Sequence, residues 1–432
     1  MSSTEERGLG LPITYLLAHD ARFDLTPRRQ STSTPAFFTP GNATLQSGEH
    51  KVIISLAFGL RGRRNLPTDA SPVFKYPGHT QPPRRASLIT TSHTSQFPLH
   101  MDAADEVTFE FVPVIRQYRS GRVERLLPTN PVPPSLDAAT GVASRDVTID
   151  PATGLWARLY LPDLPASAGA RLPVVLYFHG GGLVVGTAAD APEHAFLNRL
   201  AARAGAIAVS VEYRLAPEHP VPACYDDAWT ALRWVIAAAA GSSTSSDAAP
   251  EPWLRDHGDV GRVSLLGYSA GGNVAHNVAL RAGGGGGEEG LPGGARLRGM
   301  ALMHPFFLSG DKAEGEVKHA WARAKIEEMW AFACGGRTAG VDDPRVNPLA
   351  GGALSLRAAL GCDRVLVCVA DDELEVRGKA YHGGLLASGW AKEDAELLDS
   401  AGEEHDFHLR QPESPNALLL VDRLAAFLRG NQ

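Results

Sequence analysis

The sequence predicts an α/β fold in which a mostly parallel central sheet is covered by helices on both faces. Apolar runs of strand length recur along the chain from about residue 144, and helical segments separate most of the later runs. This alternation favours parallel strands joined by helical crossovers. With 432 residues, of which 44% are hydrophobic, the chain has enough apolar material for a large core.

The predicted sheet begins with two antiparallel strands and continues with six further strands. The eight strands are placed at 144–150, 155–161, 172–178, 206–212, 262–267, 298–304, 364–370 and 395–399. Two of the helices between them are predicted at 225–240 and 317–333. Ligands in such folds bind at the carboxyl ends of the strands, so functional residues are expected just after strands end.

A glycine-rich turn, His179-Gly180-Gly181-Gly182, follows the buried strand that ends at Phe178. Glycines let the backbone turn the N–H groups of Gly181 and Gly182 toward one point, which is the requirement for an oxyanion-binding loop. The alternative interpretation is a flexible turn after a strand. We expect His179 to shape this loop rather than to transfer protons.

The pentapeptide Gly267-Tyr268-Ser269-Ala270-Gly271 lies between an apolar run and a helix-forming segment. Small residues on both sides of Ser269 permit a strained strand-to-helix turn that presents the hydroxyl at a helix N-terminus. The N–H of Ala270 would then join those of Gly181 and Gly182 around one oxyanion. Alone, this pattern is common in turns, but its position after the glycine loop supports a nucleophilic serine.

A serine hydroxyl needs a base to accept its proton and a carboxylate to orient that base. Asp371-Asp372-Glu373 follows the strand at 364–370, and His405 follows the strand at 395–399. We choose Asp372 and His405, while the residues alone leave Asp371 and Glu373 open as the acid.

Other histidines after the serine compete with His405 for the role of the base. His276 lies on the helix that follows Ser269 and is expected to face away, whereas His408 is close enough to His405 in sequence to be confused with it. The remaining candidates are His304, His319 and His382. A loop position directly after a strand favours His405.

Over residues 101–432 the chain resembles the plant carboxylesterases of the hormone-sensitive-lipase-like branch of the α/β-hydrolases. Beyond the glycine loop and the serine turn, the resemblance rests on an ordered series of motifs. These are MDAADEV at 101–107, RDVTID at 145–150, ARLYLP at 157–162, EYRLAPE at 212–218, YDDAW at 225–229 and DPRVNP at 343–348. It implies an α/β-hydrolase fold with a helical cap and ester hydrolysis.

The resemblance also implies roles for individual residues, with Ser269 as nucleophile and His405 as base. Asp372 becomes the acid when the family pattern is anchored on Leu374 and on Arg377-Gly378. The loop after Ala370 is one residue shorter than usual in the family, which keeps Asp371 as an alternative. Leu183 stands where relatives carry an aromatic residue, and this difference is expected to reshape the mouth of the pocket.

Residues 101–140 and 306–350 are expected to supply cap elements of the catalytic domain. Aromatic and apolar side chains in these segments are candidates for the wall of an acyl pocket, although each can equally pack only as core. They are Phe109, Phe111, Val112 and Val114 in the first segment, and Phe306, Phe307, Trp321 and Trp330 in the second.

Composition narrows the partners and the location. The first hundred residues carry 11 Lys and Arg against 6 Asp and Glu, whereas the whole chain has a net charge of −7. The acidic balance of residues 101–432 argues against nucleic acid and anionic membranes as partners. Four cysteines without zinc-type spacing suggest reduced thiols in the cytoplasm, and no apolar run is long enough to span a membrane.

Residues 1–100 differ in composition from the rest and are rich in Ser, Thr, Pro and Arg. We expect translation to start at Met101 and the upstream residues to be a disordered extension of the gene model, with a strand pattern only at Val52–Phe58. A transit peptide is the competing interpretation, against which the early acids Glu5, Glu6, Asp20 and Asp24 count.

The activity expected from this sequence is hydrolysis of small carboxylic esters through an acyl-enzyme, without a metal or organic cofactor. Related proteins include tuliposide-converting enzymes, which form a lactone from an ester, a hydroxyisoflavanone dehydratase, and gibberellin receptors that lack the catalytic histidine. His405 argues against the receptor. Acyl length and oligomeric state stay open.

Overall fold

The computed structural model describes residues 42–47, 50–55, 105–163, 171–242, 250–284, 290–311, 316, 320–350 and 356–430. The described residues divide into two compact units, one that contains 42–47 and 50–55 and one that contains the described residues from 105 onward. In the first unit, β1 (Asn42–Ser47) and β2 (His50–Ser55) form an antiparallel hairpin. β2 overlaps the strand pattern at Val52–Phe58, and the other expectations for residues 1–100 lie outside the described residues.

The second unit is built around an eight-stranded sheet. Its strands are β6 (Ala143–Asp150), β7 (Leu155–Leu161), β8 (Leu172–Phe178), β9 (Ile207–Glu212), β10 (Gly258–Tyr268), β11 (Gly299–Met303), β12 (Val365–Ala370) and β13 (Ala395–Ser400). They lie in the order β13-β12-β11-β10-β8-β9-β7-β6. β7 is antiparallel to both β6 and β9, and the other neighbouring pairs are parallel. The predicted mostly parallel sheet is confirmed.

Helices follow most of the parallel strands. They are α1 (Ala191–Ala204), α2 (Ala223–Ala239), α3 (Pro252–His257), α4 (Ala270–Ala282), α5 (Ala320–Ala333), α6 (Leu356–Ala359), α7 (Glu375–Ala387), α8 (Phe407–Arg410) and α9 (Pro415–Arg429). The C-terminal helix α9 begins cleanly because the Ser414 hydroxyl accepts a hydrogen bond from the Ala417 N–H at 3.2 Å and Pro415 follows it.

Alternate side chains of each central strand enter different cores, which is why the strands read as continuous apolar runs. In β8, Leu176 and Phe178 belong to the core that also contains residues of α2, α4 and α7, whereas Val175 and Tyr177 belong to the core that contains residues of α1 and α9. Every residue of β8 is buried. The helices therefore cover both faces of the sheet, as predicted.

The two expected cap segments differ in structure. Within 101–140, three short strands, β3 (Val107–Phe111), β4 (Ile115–Tyr118) and β5 (Val123–Arg125), form a separate antiparallel sheet rather than a helix. In β3, the half-buried side chains of Phe109 and Phe111 alternate with exposed ones, as in a strand with one covered face. Within 306–350, α5 is helical. The rings of Phe109 and Phe332 stack at 3.8 Å between centroids and join the two segments.

All four cysteines are buried and free of disulfide bonds. Among the helices of the described ranges, none combines the length and the apolar character needed to cross a bilayer.

Candidate active site

Ser269 lies at the sharp turn between β10 and α4. Its φ of 54° and ψ of −117° are in a region that residues other than glycine rarely adopt, and its N–H donates to the Met303 carbonyl at 2.8 Å. Backbone strain of this kind typically costs about 1–3 kcal/mol and is often found at functional sites. The predicted strand-turn-helix context is therefore present, with the serine 8% exposed.

The small residues around Ser269 are required by close backbone contacts. A Cβ atom on Gly271 would collide with the carbonyl oxygen of Phe178, and one on Gly267 with the carbonyl of Gly271. The turn thus presses against the end of β8, so that the nucleophile candidate and the glycine loop are neighbours.

The glycine loop follows β8 and has positive φ values of 108° at Gly181 and 64° at Gly182. The Gly181 carbonyl accepts hydrogen bonds from the N–H groups of Val184 at 3.1 Å and Val185 at 3.0 Å. Within the described chain, no backbone or side-chain acceptor takes the N–H groups of Gly181, Gly182 or Ala270. These three donors are free to bind a ligand oxygen.

His179 is buried inside this loop. Its Nδ1 lies 2.8 Å from the Gly180 carbonyl, its ring stacks on Tyr213 at 4.3 Å, and its own carbonyl accepts from the Tyr213 hydroxyl at 2.7 Å. Burial lowers the pKa of His179, which keeps the ring neutral. These contacts agree with a role in shaping the loop.

Asp372 and His405 are paired directly. Asp372 Oδ2 lies 2.7 Å from His405 Nδ1, and its Oδ1 accepts from the Leu374 N–H at 2.9 Å. Asp372 is 3% exposed, whereas Asp371 is exposed and its N–H donates to the Glu403 carbonyl at 3.0 Å. Of the two aspartates, the structure brings Asp372 to the histidine.

Electrostatics favour a charged His405. Burial alone lowers its pKa, but the hydrogen bond and negative charge of Asp372, with the nearby carboxylates Glu373 and Asp406, raise the pKa of His405 to about 9. For Asp372, burial raises the pKa, and the hydrogen bond and charge of His405 outweigh it, so the pKa of Asp372 is lowered. Imidazolium and carboxylate thus stabilise each other.

Three of the competing histidines have other contacts. His276 contacts the Tyr381 hydroxyl at 3.0 Å on the far side of α4, and His382 Nε2 lies 3.0 Å from the Ala395 carbonyl. His408 is 1% exposed and packs edge-on against Tyr268 at 4.7 Å. His319 lies outside the described residues.

His304 joins the site although no sequence signal distinguished it from the other histidines. It follows β11 with a φ of 45°, and its Nδ1 lies 2.5 Å from the His405 carbonyl. Burial is the main reason that the pKa of His304 falls to about 4, so the ring is neutral and its Nδ1–H donates to that carbonyl. His304 therefore holds the backbone of His405.

Within the described ranges, ligand atoms of His304, Asp372 and His405 lie within 4.8 Å of one another, the spacing of a possible metal site. The bond between His405 Nδ1 and Asp372 Oδ2 uses two of these atoms. A metal ion bound there would replace that bond, so the arrangement fits an acid-base pair better than a metal centre.

Ser269 and His405 open into one cavity of about 310 Å³. Gly181 and Gly182 also line it, and its wall is largely apolar. The apolar lining residues include Phe111, Val114, Leu127, Phe306, Ile326, Met329, Leu374 and Leu409. Both expected cap segments thus contribute to the wall.

The other candidates from the two cap segments have different surroundings. Phe307 packs on Tyr381 at 4.9 Å, Trp330 is fully buried, and Val112 is 45% exposed. Phe109 stacks on Phe332. The side chain of Trp321 lies outside the described residues.

Four carboxyl groups line the cavity, those of Asp190, Glu193, Glu373 and Asp406. Arg410 also lines it. Glu193 was not anticipated from sequence. Its carboxylate accepts from the Tyr177 hydroxyl at 2.5 Å, and burial raises its pKa to about 7. Asp406 is paired with Arg410 at 2.7 Å.

Comparison with known families gives a match over residues 175–409 to a family described as having the alpha/beta hydrolase fold. Tuliposide A-converting enzyme b2, amyloplastic, of Tulipa gesneriana is 41% identical over 82% of this chain and 86% of its own. Probable carboxylesterase 7 of Arabidopsis thaliana is 40% identical over 74% of this chain and 98% of its own. 2-Hydroxyisoflavanone dehydratase of Glycyrrhiza echinata is 40% identical over 75% and 96%.

Solved structures of esterases are also similar. A hyperthermophilic esterase from the archaeon Pyrobaculum calidifontis gives a TM-score of 0.51 at 29% identity, over 66% of this chain and 83% of that one. The thermostable carboxylesterase EstE1, cloned from a metagenomic library, gives 0.51 at 30% identity, over 66% and 88%.

Proposed function

This chain belongs to the α/β-hydrolase fold family and is of the esterase type, and on that premise we propose that it is a serine carboxylesterase acting on small carboxylic esters through an acyl-enzyme. The observation that carries the proposal is that Ser269, His405 and the glycine loop face a single, largely apolar cavity. An apolar cavity suits the acyl or alcohol part of an ester.

In the proposed reaction His405 is the general base. Its Nδ1 is engaged by Asp372, so in the neutral ring Nε2 carries the lone pair that accepts the Ser269 proton. The serine oxygen attacks the ester carbonyl carbon, and the oxyanion is held by the N–H groups of Gly181, Gly182 and Ala270. Asp372 orients His405 and stabilises the imidazolium.

His405 then gives the proton to the departing alkoxide, and an acyl group remains on Ser269. Water repeats the attack with the same base and releases the acid. No step in this sequence requires a metal or an organic cofactor.

The proposal is tested by incubating the full chain with short p-nitrophenyl esters and following p-nitrophenol release. We expect saturable turnover and, after rapid quenching, a protein mass increased by one acyl group on the peptide containing Ser269. A folded protein that releases p-nitrophenol no faster than buffer would instead favour a non-catalytic binder of the gibberellin-receptor type.

Intramolecular acyl transfer is the second candidate, and it is favoured by the 41% identity to tuliposide A-converting enzyme b2. Here a hydroxyl of the substrate itself would accept the acyl group from Ser269 and leave as a lactone. Chromatography of the products from a hydroxyacyl ester separates the two, because hydrolysis gives the free acid and transfer gives the lactone.

We propose a cytoplasmic location, while the relatives from Tulipa are named amyloplastic or chloroplastic. The first of these relatives matches 82% of this chain, which is a longer stretch than residues 101–432. The matched sequence therefore extends upstream of Met101. Fluorescence of the full chain fused at its C-terminus, with mass spectrometry of the mature N-terminus, decides between cytoplasm and plastid.

We expect kcat/KM to rise with pH along a limb whose midpoint lies above 6.5. The base must be neutral to accept a proton, and the charges around it raise the pKa of His405 to about 9, so protonated enzyme persists to higher pH. Glu373→Gln removes one of those charges and should move the limb to lower pH by on the order of half a unit. Rates across pH 5–10 measure this.

Glu393→Gln is the matched control, because Glu393 is exposed in the loop before β13. This loop is at the amino-terminal ends of the strands, whereas Glu373 follows the carboxyl end of β12. Its limb should coincide with that of the unmodified enzyme. Equal midpoints for both variants would contradict the assignment of His405 as the titrating base.

Gly181→Ala is expected to lower kcat by roughly 10²- to 10³-fold, the usual effect of losing one oxyanion donor. Gly181 has a φ of 108°, and an added Cβ would collide with the Val185 carbonyl, so the loop must shift. Initial rates at saturating ester measure the loss.

Gly154→Ala separates strain from function, since Gly154 also has positive φ, 76°, but has open space within 4 Å of an added Cβ. This variant should lose about 1 kcal/mol of stability and keep full activity. Unchanged kcat in folded Gly181→Ala would remove this loop from the proposed mechanism.

A further inference from the structure

A second cavity, of about 650 Å³, lies at the amino-terminal ends of the strands, opposite the end that carries Ser269. Ser269 follows the carboxyl end of β10, whereas this cavity is bordered by residues just before β11, β12 and β13. We call it the arginine cavity after its charged lining, which consists of Arg296, Arg298, Arg357 and Arg364 with Asp363 and Asp394. It shares no lining residue with the first cavity.

The charge of the arginine cavity is opposite to that of the chain. Four guanidinium groups face two carboxylates, in a protein whose net charge is −7. Asp363 is shared between Arg296 at 3.4 Å and Arg298 at 3.8 Å, distances too long for strong charge-assisted bonds. These ion pairs leave an excess of positive charge in the arginine cavity, and this excess attracts anions.

Two of the arginines are held in position by aromatic rings. Arg357 lies over the Trp390 ring at 4.4 Å, and Arg364 lies over Phe427 at 5.1 Å. Among the described residues Arg357 has no carboxylate partner. Stacking fixes the plane of a guanidinium and leaves its N–H edge available to a ligand.

Arg364 adds a buried positive charge to the wall of the cavity. It is 6% exposed, and its Nε is buried without a hydrogen-bond partner in the described part of the protein. Its Nη2 bonds Glu396 at 2.8 Å, but Glu396 also pairs with Arg423. A buried cation that shares its counter-ion is costly unless another anion completes the arrangement.

From this geometry we propose that the arginine cavity binds a small molecule carrying a phosphate or diphosphate group. Guanidinium groups match the oxygens of a phosphoryl group with two parallel hydrogen bonds, which lysine cannot do. The cavity offers no nucleophile, since burial raises the pKa of the Cys362 thiol at its wall to about 12. The site is for binding, separate from the ester chemistry.

The test uses inorganic pyrophosphate and the full chain in calorimetric titration. We expect saturable binding at one site, with chloride at equal ionic strength competing only weakly, because a monatomic ion cannot accept two parallel hydrogen bonds from one guanidinium group. Arg298→Ala combined with Arg357→Ala should weaken pyrophosphate at least about tenfold. Arg203→Ala is the control and should bind as the unmodified protein does, because Arg203 lies on α1 with a 60% exposed side chain, pairs with Asp422 and does not line the cavity.

Native protein that takes up no pyrophosphate, or control and double variants weakened alike, would overturn the proposal. Hydrolysis of p-nitrophenyl acetate checks that each variant is folded, since the arginines lie away from Ser269. A second measurement needs no variant: pyrophosphate should protect Arg298 and Arg357, but not Arg203, from phenylglyoxal as detected by peptide mass spectrometry. Equal modification of all three with and without pyrophosphate would also overturn it.

Discussion

Ser269→Ala is expected to reduce kcat for p-nitrophenyl esters by a factor on the order of 10⁴ or more, to a rate near that of buffer. The hydroxyl is the atom that forms the acyl-enzyme, so its loss removes the covalent route entirely. Substrate affinity should change little, because the apolar wall of the cavity is untouched. Turnover at saturating ester and binding of a non-hydrolysable ester analogue measure the two quantities separately.

Alanine has the same Cβ atom as serine and meets the same steric limits at a φ of 54°. This variant should therefore keep both the turn and the fold. His405→Ala provides the matched comparison, and because the two groups act as a unit, the double variant should be no slower than either single one. Multiplicative losses in the double variant, or substantial turnover by Ser269→Ala, would mean that the serine is not the nucleophile.

Asp372→Asn is expected to lower kcat by about 10⁴-fold while the fold is kept, since an amide of the same shape favours the wrong tautomer of the histidine. The structural basis is the 2.7 Å contact between Asp372 Oδ2 and His405 Nδ1. The same change lowers the pKa of His405, so the remaining activity should titrate at lower pH.

Asp371→Asn is the matched control, because it makes the same substitution at the neighbouring residue in the same loop. Asp371 is exposed and contacts Glu403 through its backbone N–H, which the substitution retains. Its kcat should stay within about twofold of the unmodified value. A larger loss for Asp371→Asn than for Asp372→Asn would exchange the roles of the two aspartates.

Sequence reasoning was most successful where burial on both faces leaves a continuous apolar run. The strands at 155–161 and 172–178 were predicted with the bounds that the structure has. β10 begins at Gly258, earlier than the predicted 262, because an irregular pairing with β8 extends it through polar residues. Such an extension depends on the neighbouring strand and leaves no local pattern.

The candidate site was predictable where chemistry coincides with a turn, as at Ser269 and the glycine loop. The choice of Asp372 over Asp371 depended on resemblance to a family, since both aspartates follow the same strand. His304 and Glu193 were not identified because their positions at the site arise from contacts between distant segments, with the His405 carbonyl and the Tyr177 hydroxyl. Likewise, β3 to β5 are too short for a periodic signal.

The carboxyl groups around the first cavity bear on what happens after the chemistry. An ester is uncharged when it meets Asp190, Glu193, Glu373 and Asp406, but the acid formed from it ionises above about pH 5. The ionised product is then repelled by Asp190 and Glu373, while Asp406 is paired with Arg410 and Glu193, whose pKa is about 7, gains its charge as the pH rises through neutrality. Release of the acid from the cavity is favoured electrostatically. The enzyme should therefore show weak product inhibition at neutral pH and stronger product inhibition at lower pH.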